Sequence, residues 1–155
     1  MVRRNLPLLV GLVAAVLVIG LVVLWETRDD DPFAGYCDAV ADHREDIGAA
    51  LSAGPQTGLL RALPSFEELA DEAPDDIRAD WTLVIERITA LKDALDAADV
   101  DPSAYDVESP PADVPEDDRK AIETAAVRLG SQETRTALAH VDQQARDVCK
   151  TPLSL

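Results

Sequence analysis

Aromatic residues, glycine and cysteine are all scarce in this chain of 155 residues. Aromatic residues make up 4% and there are 7 glycines and 2 cysteines, yet the hydrophobic fraction reaches 47% because aliphatic residues and alanine are abundant. Such a composition is typical of packed helices rather than of β-sandwiches. The glycines never group as GxGxxG or GxxxxGKS/T, so the sequence contains no phosphate-binding loop. Nucleotide chemistry is therefore unsupported.

Basic residues are also few. The chain has 14 lysines and arginines against 30 acidic residues, a net charge of −16, and every acidic residue lies at Glu26 or later. Twelve basic residues remain there, 14 less Arg3 and Arg4, so this part has a net charge of −18. A surface this acidic repels phosphate backbones and anionic headgroups. The charge argues against a nucleic-acid partner and against membrane attraction through basic residues.

The one long apolar run covers residues 6–25, LPLLVGLVAAVLVIGLVVLW. Twenty helical residues at ~1.5 Å each span ~30 Å, the thickness of a bilayer's hydrocarbon core. Arg3 and Arg4 on the short side predict a cytoplasmic N-terminus and an outer C-terminus, as in a single-pass cell-membrane protein. We predict five segments in chain order. Residues 1–5 are a cytoplasmic N-terminus, residues 6–25 a transmembrane helix and residues 26–31 a charged linker. Residues 32–150 are a helical extracytoplasmic domain, and residues 151–155 are a C-terminal tail.

A cleaved signal peptide is the alternative for the N-terminal segment, because it shares the basic start and the apolar run. Its apolar region would normally cover ~7–15 residues and end in a small-x-small cleavage site. Here the run is longer, and Trp25-Glu26-Thr27-Arg28 follows it. The pattern favours an uncleaved anchor.

Cys37 and Cys149 are predicted to form one disulfide within the chain, since an oxidising compartment favours the bond. Two free buried thiols, or pairing between chains, are the alternatives. The two cysteines and the two distant histidines lack zinc-ligand spacing, so we predict neither a metal site nor a cofactor.

Apolar residues beyond the linker recur every three or four positions, which predicts an all-α fold. We expect an antiparallel bundle of about four helical arms. The first begins at Asp31-Pro32 and stops at Gly54-Pro55, and the second is short and broken at Pro64, with Ser65 opening a capping box for a new turn.

The third arm begins at Pro74-Asp75-Asp76. It has an unbroken apolar seam that consists of Ile77, Trp81, Val84, Ile88, Leu91, Leu95 and Ala98. Residues 99–115 are rich in proline and acids and predict an exposed crossover loop. The last arm begins near Pro115. Its two apolar stripes are out of phase by one residue, so we expect an interruption at Gly130-Ser131, with Ser131 capping the second part.

No group of residues has the character of an active site, and we predict neither catalytic nor cofactor-binding residues. His43 and His140 have no local nucleophile and are predicted to be surface or capping residues. Residues 99–110 begin like a calcium-binding EF-hand loop, but Ala104 stands at the glycine position and Pro110 at the glutamate position. Tyr105 and Trp81 are candidates for lining a ligand pocket, although Trp81 also fits the core.

Three segments carry a resemblance to a known group of proteins: Tyr36-Cys37, residues 73–77 (APDDI), and Leu129-Gly130-Ser131 leading to Cys149. Together they resemble the small uncharacterised helical extracytoplasmic domains of actinobacterial membrane-anchored proteins and lipoproteins. The resemblance implies the location and the helical fold, and it supplies no activity.

These observations predict a membrane-anchored interaction or structural module of the cell envelope, with an envelope protein as partner and no enzymatic activity. The alternative is an extracytoplasmic domain that binds a small ligand or a divalent cation. A small-ligand domain would need a concave pocket between helices with a few convergent polar groups.

Overall fold

Helices account for all regular structure in the described part of the chain. The computed structural model describes residues 31–54, 57–106 and 109–155, and these contain no strand. The all-α prediction is confirmed. Contacts along the chain separate two units, Met1–Ala34 and Gly35–Leu155. The helices are α1 (Ala34–Leu51), α2 (Gly58–Asp71), α3 (Arg78–Ala97), α4 (Glu116–Leu129) and α5 (Gln132–Gln144), and a π-helical turn, Ala145–Cys149, follows α5.

Helix α1 has the start and stop signals that the sequence predicts. The Asp31 carboxylate accepts a hydrogen bond from the Phe33 N–H at 2.9 Å, and the Asp31 carbonyl accepts one from the Ala34 N–H at 3.1 Å. Beyond the C-terminus, Gly54 has a φ of +98°, a conformation that glycine adopts without the steric cost that Cβ imposes. The chain therefore turns away from the helix at this residue.

The predicted break at Pro64 is wrong, because α2 runs through this residue. Proline removes one backbone hydrogen bond and crowds the preceding turn. Here the ring lies on the exposed side, while Leu63 and Phe66 on either side of it are buried. Burial of this continuous apolar face outweighs the local cost, and Ser65 lies inside the helix rather than at its start.

Helix α3 is central and packs against α2, α4 and α5. Its predicted seam is buried at Trp81, Val84, Ile88 and Leu95. We call the larger group of buried side chains the main core; it includes residues of α1, α2, α3 and α5. Within it the rings of Phe66 and Trp81 lie 5.5 Å apart between centroids.

The last arm is interrupted where the sequence predicts. Helix α4 ends at Leu129 and α5 begins at Gln132, with Ser131 as its N-cap. The Ser131 hydroxyl accepts a hydrogen bond from the Thr134 N–H at 3.2 Å. This satisfies one of the backbone donors that a helix start leaves without partners.

The loop between α3 and α4 is less exposed than predicted. Tyr105 and Val114 are 6% and 7% exposed, and they pack with Leu95 and Ile122 into a second, smaller core. The acidic residues and prolines of the loop predict a segment that is too polar to bury. Two apolar side chains among them are enough to fix the loop against α3 and α4.

Cys37 and Cys149 form a disulfide, with 5.1 Å between their Cα atoms, so this prediction is confirmed. The bond indicates an extracytoplasmic domain, because disulfides persist in oxidising compartments. After it, Lys150 adopts a left-handed conformation with a φ of 59°, and residues 151–155 pack on the domain. Leu153 joins the main core, and the Leu155 N–H donates to the Arg44 carbonyl at 3.3 Å.

Within residues 31–54, 57–106 and 109–155, no helix has both the length and the apolarity needed to cross a bilayer. The predicted transmembrane helix at 6–25 lies outside the described residues. So do the predicted N-terminus at 1–5 and all but the last residue of the predicted linker.

Candidate ligand-binding groove

A groove with a volume of about 360 Å³ lies between the helices beside the second core. Its long walls come from α3, which contributes Leu91 and Leu95, and from α4, which contributes Ile122, Ala126 and Leu129. Leu91, Leu95 and Ile122 belong to the second core, where α3 and α4 pack together. The groove therefore continues the helix interface to the surface of the domain.

The remaining lining comes from four parts of the chain. Helix α2 contributes Leu59, the crossover loop contributes Pro102 and Tyr105, the junction between α4 and α5 contributes Gly130, and α5 contributes Arg135 and Leu138. Tyr105 was a candidate pocket residue in the sequence, and the structure places it in the groove. Trp81, the other candidate, is fully buried in the main core and does not line this groove.

Arg135 is the one charged residue among the described residues that line the groove. Its guanidinium donates from Nη1 to the Gly130 carbonyl, and from Nη2 to the Gln132 amide oxygen at 3.2 Å. Both acceptors are neutral. Within the described residues, Arg135 forms no ion pair with a carboxylate.

The interruption between α4 and α5 fixes the position of Arg135. The backbone N–H of Arg135 donates to the Ser131 carbonyl at 3.1 Å, which places Arg135 in the first turn of α5. The Thr134 hydroxyl donates to the Arg128 carbonyl at 3.0 Å and so joins the start of α5 to the end of α4. Thr134 itself is fully buried.

The cysteines and histidines that the sequence singled out do not lie at the groove. Cys37 and Cys149 are joined by the disulfide, and Cys149 packs against the main core. His43 is half-buried on α1, and His140 is exposed, with its Nδ1 atom 3.3 Å from an Asp80 carboxylate oxygen. Neither histidine lines the groove.

In the acidic part of the crossover loop, the Asp101 carboxylate stabilises the local backbone turn. One Asp101 oxygen accepts hydrogen bonds from the Ser103 N–H at 2.8 Å and from the Ser103 hydroxyl at 2.7 Å. These bonds favour the ionised form and lower the pKa of Asp101. In the part of the chain that the structure describes, which omits residues 107 and 108, no three His, Cys, Asp or Glu side chains are placed to hold a metal ion.

Arg135 is the functional candidate that sequence reasoning missed. It follows the capping serine by four residues, but it looks like any exposed helical arginine. Its position at the groove depends on the angle at which α5 leaves α4, and on the way the crossover loop packs. Neither is encoded in a local pattern.

Comparison with protein-family models, with curated proteins and with solved structures finds no match to this chain. The resemblance to actinobacterial envelope domains therefore stays a prediction.

Proposed function

We propose that this domain binds a small, mainly apolar molecule in the groove between α3 and α4. The groove itself is the observation that carries this proposal. Its volume of about 360 Å³ falls in the range of ~300–1,000 Å³ typical of small-molecule sites. Such sites combine apolar walls with a few placed polar groups, and here Tyr105 and Arg135 supply polar groups on an otherwise mostly aliphatic lining.

In this proposal the module is held at the cell envelope by residues 6–25, which form a transmembrane helix with the N-terminus inside. The disulfide and the acidic surface suit an outer location, as does the resemblance to actinobacterial envelope domains. In this proposal the predicted interaction role is the binding of a small molecule, and the groove is the surface that binds it. We propose binding rather than catalysis, since the lining supplies contact area and one fixed charge.

Photocrosslinking tests the proposal on the full chain. The protein is reconstituted in phospholipid nanodiscs and exposed to a decanol analogue that carries a diazirine on its alkyl chain. After irradiation, mass spectrometry identifies the labelled peptides. We expect labelling of residues 91–95 and 122–138, and we expect unlabelled decanol to suppress it. Labelling confined to residues 6–25 would contradict the proposal.

A pair of matched variants separates groove binding from general hydrophobic labelling. Ala126 is half-buried in the groove wall, whereas Ala139 is exposed on α5 and does not line the groove. Ala126→Leu fills part of the groove, and filling of this kind commonly preserves or raises stability. We expect Ala126→Leu to abolish groove labelling without lowering the melting temperature, and Ala139→Leu to leave the labelling unchanged.

A further inference from the structure

We infer that the groove selects a single-chain amphiphile with an anionic headgroup, in particular a fatty carboxylate whose head binds Arg135. This inference rests on the proposed function and names its ligand class. An alkyl chain suits the aliphatic walls formed by α3 and α4. Among the described residues that line the groove, Arg135 supplies the one charge, and it is positive. At contact distance this charge favours an anionic headgroup, although the domain as a whole is acidic and repels anions at longer range.

Arg135 retains the capacity to bind a carboxylate. A guanidinium carries five N–H donors in a planar fork, and two donors from different nitrogens can bind the two oxygens of a carboxylate together. Arg135 directs one hydrogen bond to the Gly130 carbonyl and one to the Gln132 side chain. Donors remain, and the positive charge has no carboxylate partner within the described residues.

Two other arginines, Arg87 on α3 and Arg146 on the π-helical turn, are paired with acids. Arg87 lies 3.6 Å from a Glu133 carboxylate oxygen, and Arg146 lies 2.9 Å from one of Asp142. In a chain with 30 acidic and 14 basic residues, carboxylates are abundant. An arginine that bonds only neutral oxygens at the edge of an apolar groove is therefore suited to an external anion.

The remaining lining residues determine which apolar part of the ligand fits the groove. Leu59, Leu91 and Leu138 belong to three different helices and are all half-buried, so they offer apolar surface that the fold leaves partly accessible. Burial of a methylene group contributes about 0.8 kcal/mol, which is roughly a fourfold change in affinity. We thus expect affinity to rise with chain length until the alkyl chain exceeds the groove.

Competition against the photoreactive decanol tests the inference, with the full chain in nanodiscs at pH 8, where the competing carboxylate is ionised. The competitors are decanoate, decanol and decyltrimethylammonium. We expect Arg135→Gln to raise the decanoate concentration that halves groove labelling by about tenfold, as befits loss of one exposed charged hydrogen-bonding partner. The same substitution should leave the decanol value within about twofold, because decanol has no charge to pair.

Arg146→Gln is the matched control, since it removes the same charge from an exposed residue that does not line the groove. Arg146→Gln should change neither the decanoate concentration nor the decanol concentration that halves groove labelling. It should also not improve competition by decyltrimethylammonium. If Arg135→Gln weakens decanoate and decanol equally, or decyltrimethylammonium competes as well as decanoate, the inference is overturned and the proposed function stands. If no probe labels the groove at all, both fail.

Discussion

Tyr36 and Trp81 place two polar groups in the main core without hydrogen-bond partners in the described part of the chain. The Tyr36 hydroxyl and the Trp81 indole N–H are both buried. Burial raises the pKa of Tyr36 to about 12; the nearby indole N–H of Trp81 opposes this rise, although the two groups lack hydrogen-bond geometry. An unsatisfied buried polar group costs about 1–3 kcal/mol, so the aromatic packing of this region offsets a real penalty.

Replacing Tyr36 with phenylalanine should leave the protein at least as stable at pH 7, because the unpaired hydroxyl is removed and the ring is retained. At alkaline pH the wild type should lose stability. An unfolded tyrosine releases its proton near pH ~10, while the folded residue holds it until about pH 12, so stability is full below the lower value and is lost as pH rises through the upper one. The variant should lack this loss, of roughly 3 kcal/mol at most.

Urea denaturation followed by far-ultraviolet circular dichroism, at pH 7 and pH 11, measures both effects. A variant that is clearly less stable than the wild type at pH 7 would mean that the hydroxyl has a partner in the native protein.

Helix α1 and the C-terminal residues meet at Gly48, where there is no room for a side chain. A Cβ atom at this position would collide with the Leu155 carbonyl oxygen, and it would lie 3.1 Å from the Leu155 nitrogen. The Leu155 nitrogen is held by its hydrogen bond to the Arg44 carbonyl, so it cannot move aside without loss of that bond. The glycine therefore allows residues 151–155 to cross α1 closely enough for the Leu155 N–H to reach the Arg44 carbonyl.

Gly48→Ala should destabilise the full chain, although alanine is the better helix former by about 1 kcal/mol. The C-terminal residues must move off α1, which exposes Leu153, and burial of such a side chain contributes about 1.5–3 kcal/mol. Thermal denaturation checks this with four proteins: the full chain and a chain that lacks Ser154 and Leu155, each with and without Gly48→Ala. In a chain that lacks Ser154 and Leu155 the obstacle is absent, so the same substitution should raise the melting temperature. Equal effects in both backgrounds would exclude the collision as the cause.

The helices differ in how well the sequence predicts them, and the differences have physical causes. Helix α3 and the break at Ser131 follow from local patterns, an unbroken apolar seam and a capping residue between two stripes out of phase. At Pro64 the local rule predicts a break, but burial of Leu63 and Phe66 prevails. Tertiary packing decides such cases, and one sequence does not show which faces meet.

At the scale of the whole molecule, the disulfide joins the first helix to the end of the last. Cys37 and Cys149 are separated by 112 residues in sequence, and Cys149 packs against the main core. A cross-link that closes so long a loop restricts the unfolded chain strongly, by about 4.7 kcal/mol for ~100 residues in the chain-entropy account. The short π-helical turn that contains Cys149 directs the chain to this bond.

Replacing both cysteines with alanine should lower the free energy of unfolding by about 2–5 kcal/mol, a large part of the ~5–15 kcal/mol typical of a domain. Chemical denaturation of the wild type and the double variant measures the difference. Reduction of the wild type should reproduce most of it, whereas the reductant should leave the double variant unchanged. A wild type that is equally stable with and without reductant would contradict the structural role of the bond.

The groove was only partly predictable from the sequence, because it depends on tertiary packing. Leu91 and Leu95 are visible as members of the α3 seam, and Tyr105 is visible as a pocket candidate. The seam predicts a fully packed interface, however, whereas the structure leaves part of it open between α3 and α4. The opening depends on how α5 and the crossover loop are placed, which is a property of the assembled fold.

The most direct test of ligand binding uses the two tyrosines of the chain, Tyr36 and Tyr105. The full chain is labelled with 3-fluorotyrosine, reconstituted in nanodiscs and titrated with decanoate, and Tyr36→Phe assigns the two fluorine resonances. Tyr105 lines the groove, while Tyr36 lies in the main core at 1% exposure. We expect the Tyr105 resonance to shift and the shift to saturate, while the Tyr36 resonance stays in place. A titration that moves neither resonance, or both in parallel, would contradict this expectation.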